Sequence, residues 1–150
     1  MTTESQLQAR KLWAATLRSG KYAKGEGAMK TSLTEKPDLP RYDKFCCLGI
    51  ACELHRLESK NQDNWSEVAA YSEGSAINRY QGQHAVLPVS VQDWLGIDCQ
   101  GSLPNPIRKN CDHTYSALIF MNDLPHTTFD EIANVIEDQF IKPFEGELSK

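Results

Sequence analysis

The chain has 150 residues, 40% of them hydrophobic and 24% charged, which suits one soluble domain spanning 1–150 with a core of its own. That composition excludes a collagen-like repeat and a wholly disordered chain, and no apolar run approaches the roughly 20 residues that cross a bilayer. Sixteen basic and twenty acidic residues leave a net charge of −4, and with an isoelectric point near 5.5 a general grip on duplex DNA is not expected.

The charge is uneven. Residues 10–60 hold eleven Lys/Arg against six Asp/Glu, and residues 61–150 hold five against thirteen. Local field matters more to a small anion than net charge, so the basic first third is a candidate anion surface. Five cysteines make an odd number, and the opening MTTESQLQARK lacks the apolar stretch of a secretory signal. Reduced thiols in a cytosol are therefore expected, not a disulfide framework.

In chain order, Ala9, Leu12, Trp13, Thr16 and Leu17 form one helical stripe, and the spacing predicts a helix from Glu4 to Ser19. Thr3 with Gln6, or Ser5 with Gln8, offers a capping box, and Gly20 a left-handed stop. Gly25 and Gly27 imply a turn feeding an extended stretch over 28–33, and Pro37 and Pro40 mark a loop up to Asp43. Phe45 to Leu54 has no polar residue before Glu53, which predicts a central helix over about 45–57 with Asp43 as its N-cap. A helix apolar on two faces is packed on both sides, and Gly49 inside it implies a close backbone approach.

Residues 59–83 read as polar and irregular, anchored by Trp65, Tyr71 and Tyr80. A short extended piece is expected at 84–87, followed by a helix from Val89 to Leu95 that Gly96 closes. The stretch 97–113, with Gly101, Pro104 and Pro106, reads as a long loop, and Tyr115 to Met121 as helix. Thr128 and Glu131 cap a last amphipathic helix through Phe140 that Pro143 ends, leaving a frayed acidic tail over 143–150. The expected fold is α+β, a helix-rich domain around the central helix with a few short strands.

Three constellations carry chemistry. Cys46 and Cys47 at a helix start have the position that activates thiolates, and Cys47 with His84, or with His113, as base sketches a Cys–His hydrolase; inert packing is the competing account. Cys52, His55, Cys111 and His113 form a conceivable zinc quartet without paired knuckles, so no metal and no other cofactor is expected. Arg18, Lys21, Lys24 and Lys30 surround the glycine turn, and Arg41 and Lys44 flank the central helix start. Exposed turn N–H groups and a helix dipole can hold phosphate there, with Tyr22 or Tyr80 stacking on a base. Asn122-Asp123 reads as a helix stop and turn.

The order Trp13-x3-Leu17-x2-Gly20-x-Tyr22, then Phe45-Cys46-Cys47-Leu48-Gly49-Ile50-x-Cys52, then Leu87-Pro88-x2-Val91-x2-Trp94-Leu95-Gly96, then Met121-Asn122-Asp123 and Phe129-x-Glu131-Ile132-Ala133 resembles a group of small proteins from tailed-bacteriophage and prophage genomes. The Pro125-His126 pair and the length of 97–113 depart from that pattern. The resemblance implies an accessory phage protein of the host bacterial cytosol, acting in host takeover or counter-defence. Two binding roles are consistent with it: a sponge for a nucleotide-type immune signal, or an inhibitor that covers a host enzyme with its acidic 130–147 face and 97–113 loop. A homo-oligomer is compatible with either.

Overall fold

A computed structural model describes residues 2–34, 42–59, 64–68, 74–110, 113–124 and 126–148. Arg41, Tyr71 and Cys111 lie outside the described residues, and so does the side chain of His113. The architecture is α+β: a group of packed helices beside a mixed five-stranded sheet and a separate two-stranded ribbon. No helix among the described residues is long and apolar enough to cross a membrane.

Helix α1 spans Glu4–Arg18. The Thr3 side chain accepts the Gln6 N–H and the Gln6 side chain accepts the Thr3 N–H, so the expected capping box forms. Gly20 adopts φ +72° just beyond the helix, the left-handed stop. Helix α2, Cys47–Glu58, buries every residue from Cys47 to Leu54, as its two apolar faces require. Its start departs from expectation, because Phe45 ends a strand and Cys46 is the N-cap, its Sγ accepting the Gly49 N–H at 3.4 Å. Gly49 does meet a backbone: a Cβ built there would lie 1.8 Å from the Met29 carbonyl oxygen. The Trp13 indole N–H donates to the Cys47 carbonyl at 2.8 Å, fixing α1 across the start of α2.

The sheet runs in the order β1-β3-β2-β5-β4, from Ala23–Lys24, Tyr42–Phe45, Lys30–Leu33, Ser75–Tyr80 and Trp65–Glu67; among the described pairings only β1–β3 is parallel. Strands β4 and β5 correct the irregular reading of 59–83. Their alternation was hidden because one face of β5 carries Asn78 beside Tyr80, so the inward side is not uniformly apolar. By contrast 84–87 is not a strand: only Gln83 makes a single bridge, to Tyr80, before the chain bends.

Helix α3 occupies Val89–Leu95 as expected, with Gly96 at φ +70°. The supposed loop at 97–113 is largely a strand, β6 (Ser102–Asn110), paired antiparallel with β7 (His113–Ala117). Pro104 and Pro106 fall where the register shifts, between the Ser102 and Ile107 pairings, so their missing N–H groups interrupt no pairing there. Tyr115 to Ala117 are therefore strand, and the helix expected there begins only at Leu118 (α4, Leu118–Asn122).

Helix α5 spans Phe129–Ile136 with Thr128 capping Glu131 N–H. Pro143 does not end the helical run. A π-helical turn, Glu137–Ile141, widens the chain, the Lys142 N–H donates five residues back to Glu137, and α6 (Lys142–Leu148) takes Pro143 in its first turn. Arg10, 2% exposed, ties this region together: its guanidinium donates to the carbonyls of Leu95, Gly96 and Phe140 at 2.8–2.9 Å.

Candidate functional site

The sheet register determines which side chains share a face, because residues opposite one another across a ladder point the same way. Phe45 lies opposite Lys30, Lys30 opposite Asn78, and Asn78 opposite Glu67, a single row across four strands. The next row is Asp43, Ser32 and Ala76; on the other side Trp65 faces Tyr80. Helix α2 covers only the Trp65–Tyr80 end, through Glu53 and His55. Beyond it, Lys30, Ser32, Asp43, Trp65, Glu67 and Asn78 line an open groove of about 330 Å³, within the size range of small-molecule sites.

Hydrogen bonds lock this groove. The Ser32 hydroxyl donates to Asp43 Oδ1 at 2.7 Å, and the Asn78 amide donates to Ser32 Oγ at 3.0 Å and to the Ala76 carbonyl at 3.4 Å. Ser32 and Asn78 are both buried. The Lys30 ammonium lies 3.8 Å from Asp43 Oδ2 and over the rings of Trp65 and Phe45, at 5.3 and 5.7 Å from their centroids. The Trp65 indole N–H donates to Glu53 at 2.7 Å, and Glu53 also accepts from Arg56. Burial alone would raise the Glu53 carboxyl. The bonds from Arg56 and Trp65 and the charges of Arg56 and Lys30 outweigh it and hold that carboxyl below its ordinary range. Trp65 is one ring in a continuous file in which Tyr22, Phe45, Trp65, Tyr80, His55 and Trp94 follow with centroids 5.1–6.2 Å apart.

The described members of the basic set singled out from the sequence do not converge on a free surface. Arg18 donates to Asn134 and Glu137. Lys24 donates to the carbonyls of Asn122 and Leu124 and pairs with Glu26. Lys21 sits over the Tyr22 ring, and Tyr22 packs its edge on Phe45. Lys44 is half-buried, with its Cβ against Gly25. Among the described members of that set, Lys30 alone lines the groove. Tyr80 has no accessible surface and its hydroxyl lies 2.7 Å from His55 Nδ1, so the structure corrects its assignment as a stacking platform.

The turn that was to cradle an anion is filled from within. The Gly27 N–H donates to Asp123 Oδ1 at 3.1 Å. At the start of α2, Asn122 Oδ1 accepts the Cys47 N–H and Asn122 Nδ2 donates to the Gly25 carbonyl. Asn122-Asp123 is thus more than a turn: it joins the glycine loop to the central helix.

The Cys47–His84 pairing does not form. Cys47 has no accessible surface, its Sγ is 3.8 Å from the Leu118 carbonyl, and burial pushes its thiol well up; Cys46 is raised to about 12 by the same cause. His84 lies elsewhere, on a cleft of about 380 Å³ with Glu26, Gly27, Thr31 and Ile77. Of the zinc quartet, Cys52 Sγ is 3.6 Å from Met29 Sδ while His55 faces Tyr80, and the other two members fall outside the described side chains. The acidic 130–147 segment is partly neutralised, since Glu137 pairs with Arg18 and Lys142, and Glu145 with Lys11.

Sequence reasoning missed Ser32, Asp43, Asn78 and Glu67 as site residues. The signal was present as alternation, Lys30-x-Ser32, Asp43-x-Phe45, Trp65-x-Glu67 and Asn78-x-Tyr80, one polar-lined face written in four separate pairs.

Among known proteins, residues 5–140 match the model of a family described as a domain of unknown function, DUF8296. No curated protein and no solved structure matches.

Proposed function

The chain belongs to the DUF8296 family, and from that premise we propose that it is a binding protein that sequesters a small nucleotide-type ligand in the groove around Lys30 and Trp65. The observation that carries the reading is the prearranged polar set: Asp43, Ser32 and Asn78 are held in one geometry beside an indole wall. A site whose groups are already fixed loses little entropy on binding, which favours tight capture of a scarce molecule. Trp65, in place of Tyr22 or Tyr80, takes the stacking role, and Lys30 is the cation beside it.

The buried thiols speak against the hydrolase alternative, because a nucleophile must reach its substrate as a thiolate. The F-C-C-L-G-I-x-C run then serves as scaffold, and the accessory-phage context implied by the resemblance supplies a reason for sequestration without turnover.

The test is native mass spectrometry of the full chain purified from bacterial lysate, with calorimetry against the four ribonucleoside monophosphates. A co-purifying nucleotide, or sub-millimolar binding that Trp65→Leu weakens at least tenfold, is expected. A chain that carries no nucleotide and binds none below millimolar concentration would sink the proposal.

A further inference from the structure

Apart from the Lys30 ammonium, the side-chain donors that line the groove are committed, and the acceptor positions left over on Asp43 select among ligands. The Ser32 proton is committed to Asp43. Both hydrogens of the Asn78 amide have partners, Ser32 Oγ and the Ala76 carbonyl. The Trp65 N–H is committed to Glu53 behind the groove. Asp43 is different. A carboxylate offers about four acceptor positions; Ser32 takes one on Oδ1, and Lys30 lies 3.8 Å from Oδ2, an ion pair beyond hydrogen-bond distance. The Asp43 side chain is 40% exposed, so an acceptor position on each oxygen remains for a ligand.

Resting on the groove reading above, we infer that the site selects a guanine-type base, with Trp65 against the ring and Asp43 accepting two adjacent N–H groups from its edge. Guanine presents an imino N–H beside an exocyclic amino group, and a carboxylate accepts such a pair in parallel, the strong bidentate form of charge-assisted bonding. Adenine and cytosine place an acceptor beside their amino group, and uracil flanks its single N–H with two carbonyls. Each of those sets an acceptor against the carboxylate, which is repulsive. Hypoxanthine keeps the imino N–H and lacks the amino group, so it isolates half of the contact. Lys30 and Ser32 act as positioning residues, holding the plane of the carboxylate from two sides.

The experiment is calorimetric titration of the full wild-type chain with GMP, IMP, AMP and UMP under one salt condition, then of Asp43→Asn with the same four. GMP is expected to bind at least tenfold more tightly than IMP and more tightly still than AMP or UMP, and Asp43→Asn is expected to erase that order. If AMP or UMP binds as well as GMP, or IMP equals GMP, the base assignment is wrong while the groove reading stands. Binding of none of the four, nor of CMP, by a chain that carries no co-purified nucleotide removes both. The wild-type series needs no variant to fold, and an Asp43→Asn chain that folds and retains the preference for GMP also overturns the inference.

Discussion

Replacing Gly49 by alanine tests whether the central helix is the closely packed scaffold on which the site is hung. Alanine is better than glycine inside a helix by about 1 kcal/mol, so propensity alone predicts a more stable protein. Packing predicts the reverse. The new Cβ would lie 1.8 Å from the Met29 carbonyl oxygen and 2.6 Å from its carbon, where real Cβ contacts stay beyond 3.0 Å. Met29 cannot retreat freely, because its N–H donates to the His84 carbonyl at 2.7 Å, its carbonyl accepts the Cys46 N–H at 3.0 Å, and its side chain is fully buried. Overpacking costs roughly 1–3 kcal/mol, and each strained or broken backbone bond adds about 1 kcal/mol. After the propensity gain, Gly49→Ala should destabilise by roughly 2–4 kcal/mol, a fall in melting temperature of roughly 5–15 °C for a chain of this size. Gly146→Ala is the control, also in a helix but with nothing within 4 Å of the added carbon. It should be neutral or slightly stabilising. Thermal unfolding followed by circular dichroism reads both. A Gly49→Ala protein as stable as wild type would refute the close approach and with it the scaffold argument.

Two further outcomes follow from the same packing and charges. At neutral pH, iodoacetamide should leave Cys46, Cys47 and Cys52 unmodified in the folded chain; a thiol raised to about 12 has only about one part in 10⁵ thiolate at pH 7. Peptide mapping that finds those three alkylated as fast as in denatured protein would contradict their burial. The Glu53 carboxyl is held low in the folded state, so its contribution to stability is complete above its ordinary range and fades as pH falls through its depressed folded value. Wild type should therefore lose stability on acidification more steeply than Glu53→Gln, with Trp65 fluorescence changing in the same acid window; parallel pH profiles for the two proteins would refute the coupling.

Legibility in the sequence followed the physics of each element. Helices that bury one stripe were read closely: α1 from its capping box, α3 between Pro88 and Gly96, and the Gly49 contact from a glycine with no local reason to be in a helix. Strands were read poorly because the sheet carries polar residues on its groove face. Ser32 and Asn78 are buried, yet alternation of apolar residues is the signal by which strands are found. The two prolines of β6 argued for a loop, and only a two-stranded ribbon with a register shift accommodates them. Asp43 stands before an apolar run, the position from which a residue caps a helix. Its true partners are Ser32 and Lys30, which only strand pairing brings beside it.

The basic first third misled for a related reason. A run of lysines around two glycines has the composition of a phosphate cradle, but composition does not say whether the cradle is already occupied. Here Asp123, 96 residues along the chain from Gly27, supplies the anion that the turn N–H would otherwise seek, and two carbonyls at the end of α4 supply the acceptors for Lys24. Arg18 is matched in the same way by Glu137. Glu145 and Glu137 of the second half pair with Lys11 and Arg18, while Glu26, Asp43 and Glu53 pair with Lys24, Lys30 and Arg56 within the first third, so the +5 segment is largely matched inside the fold and the groove it lines is acceptor-rich. On the proposed reading, recognition there depends on hydrogen-bond pattern more than on net charge, and calorimetry at rising salt should show ligand binding weakened only modestly.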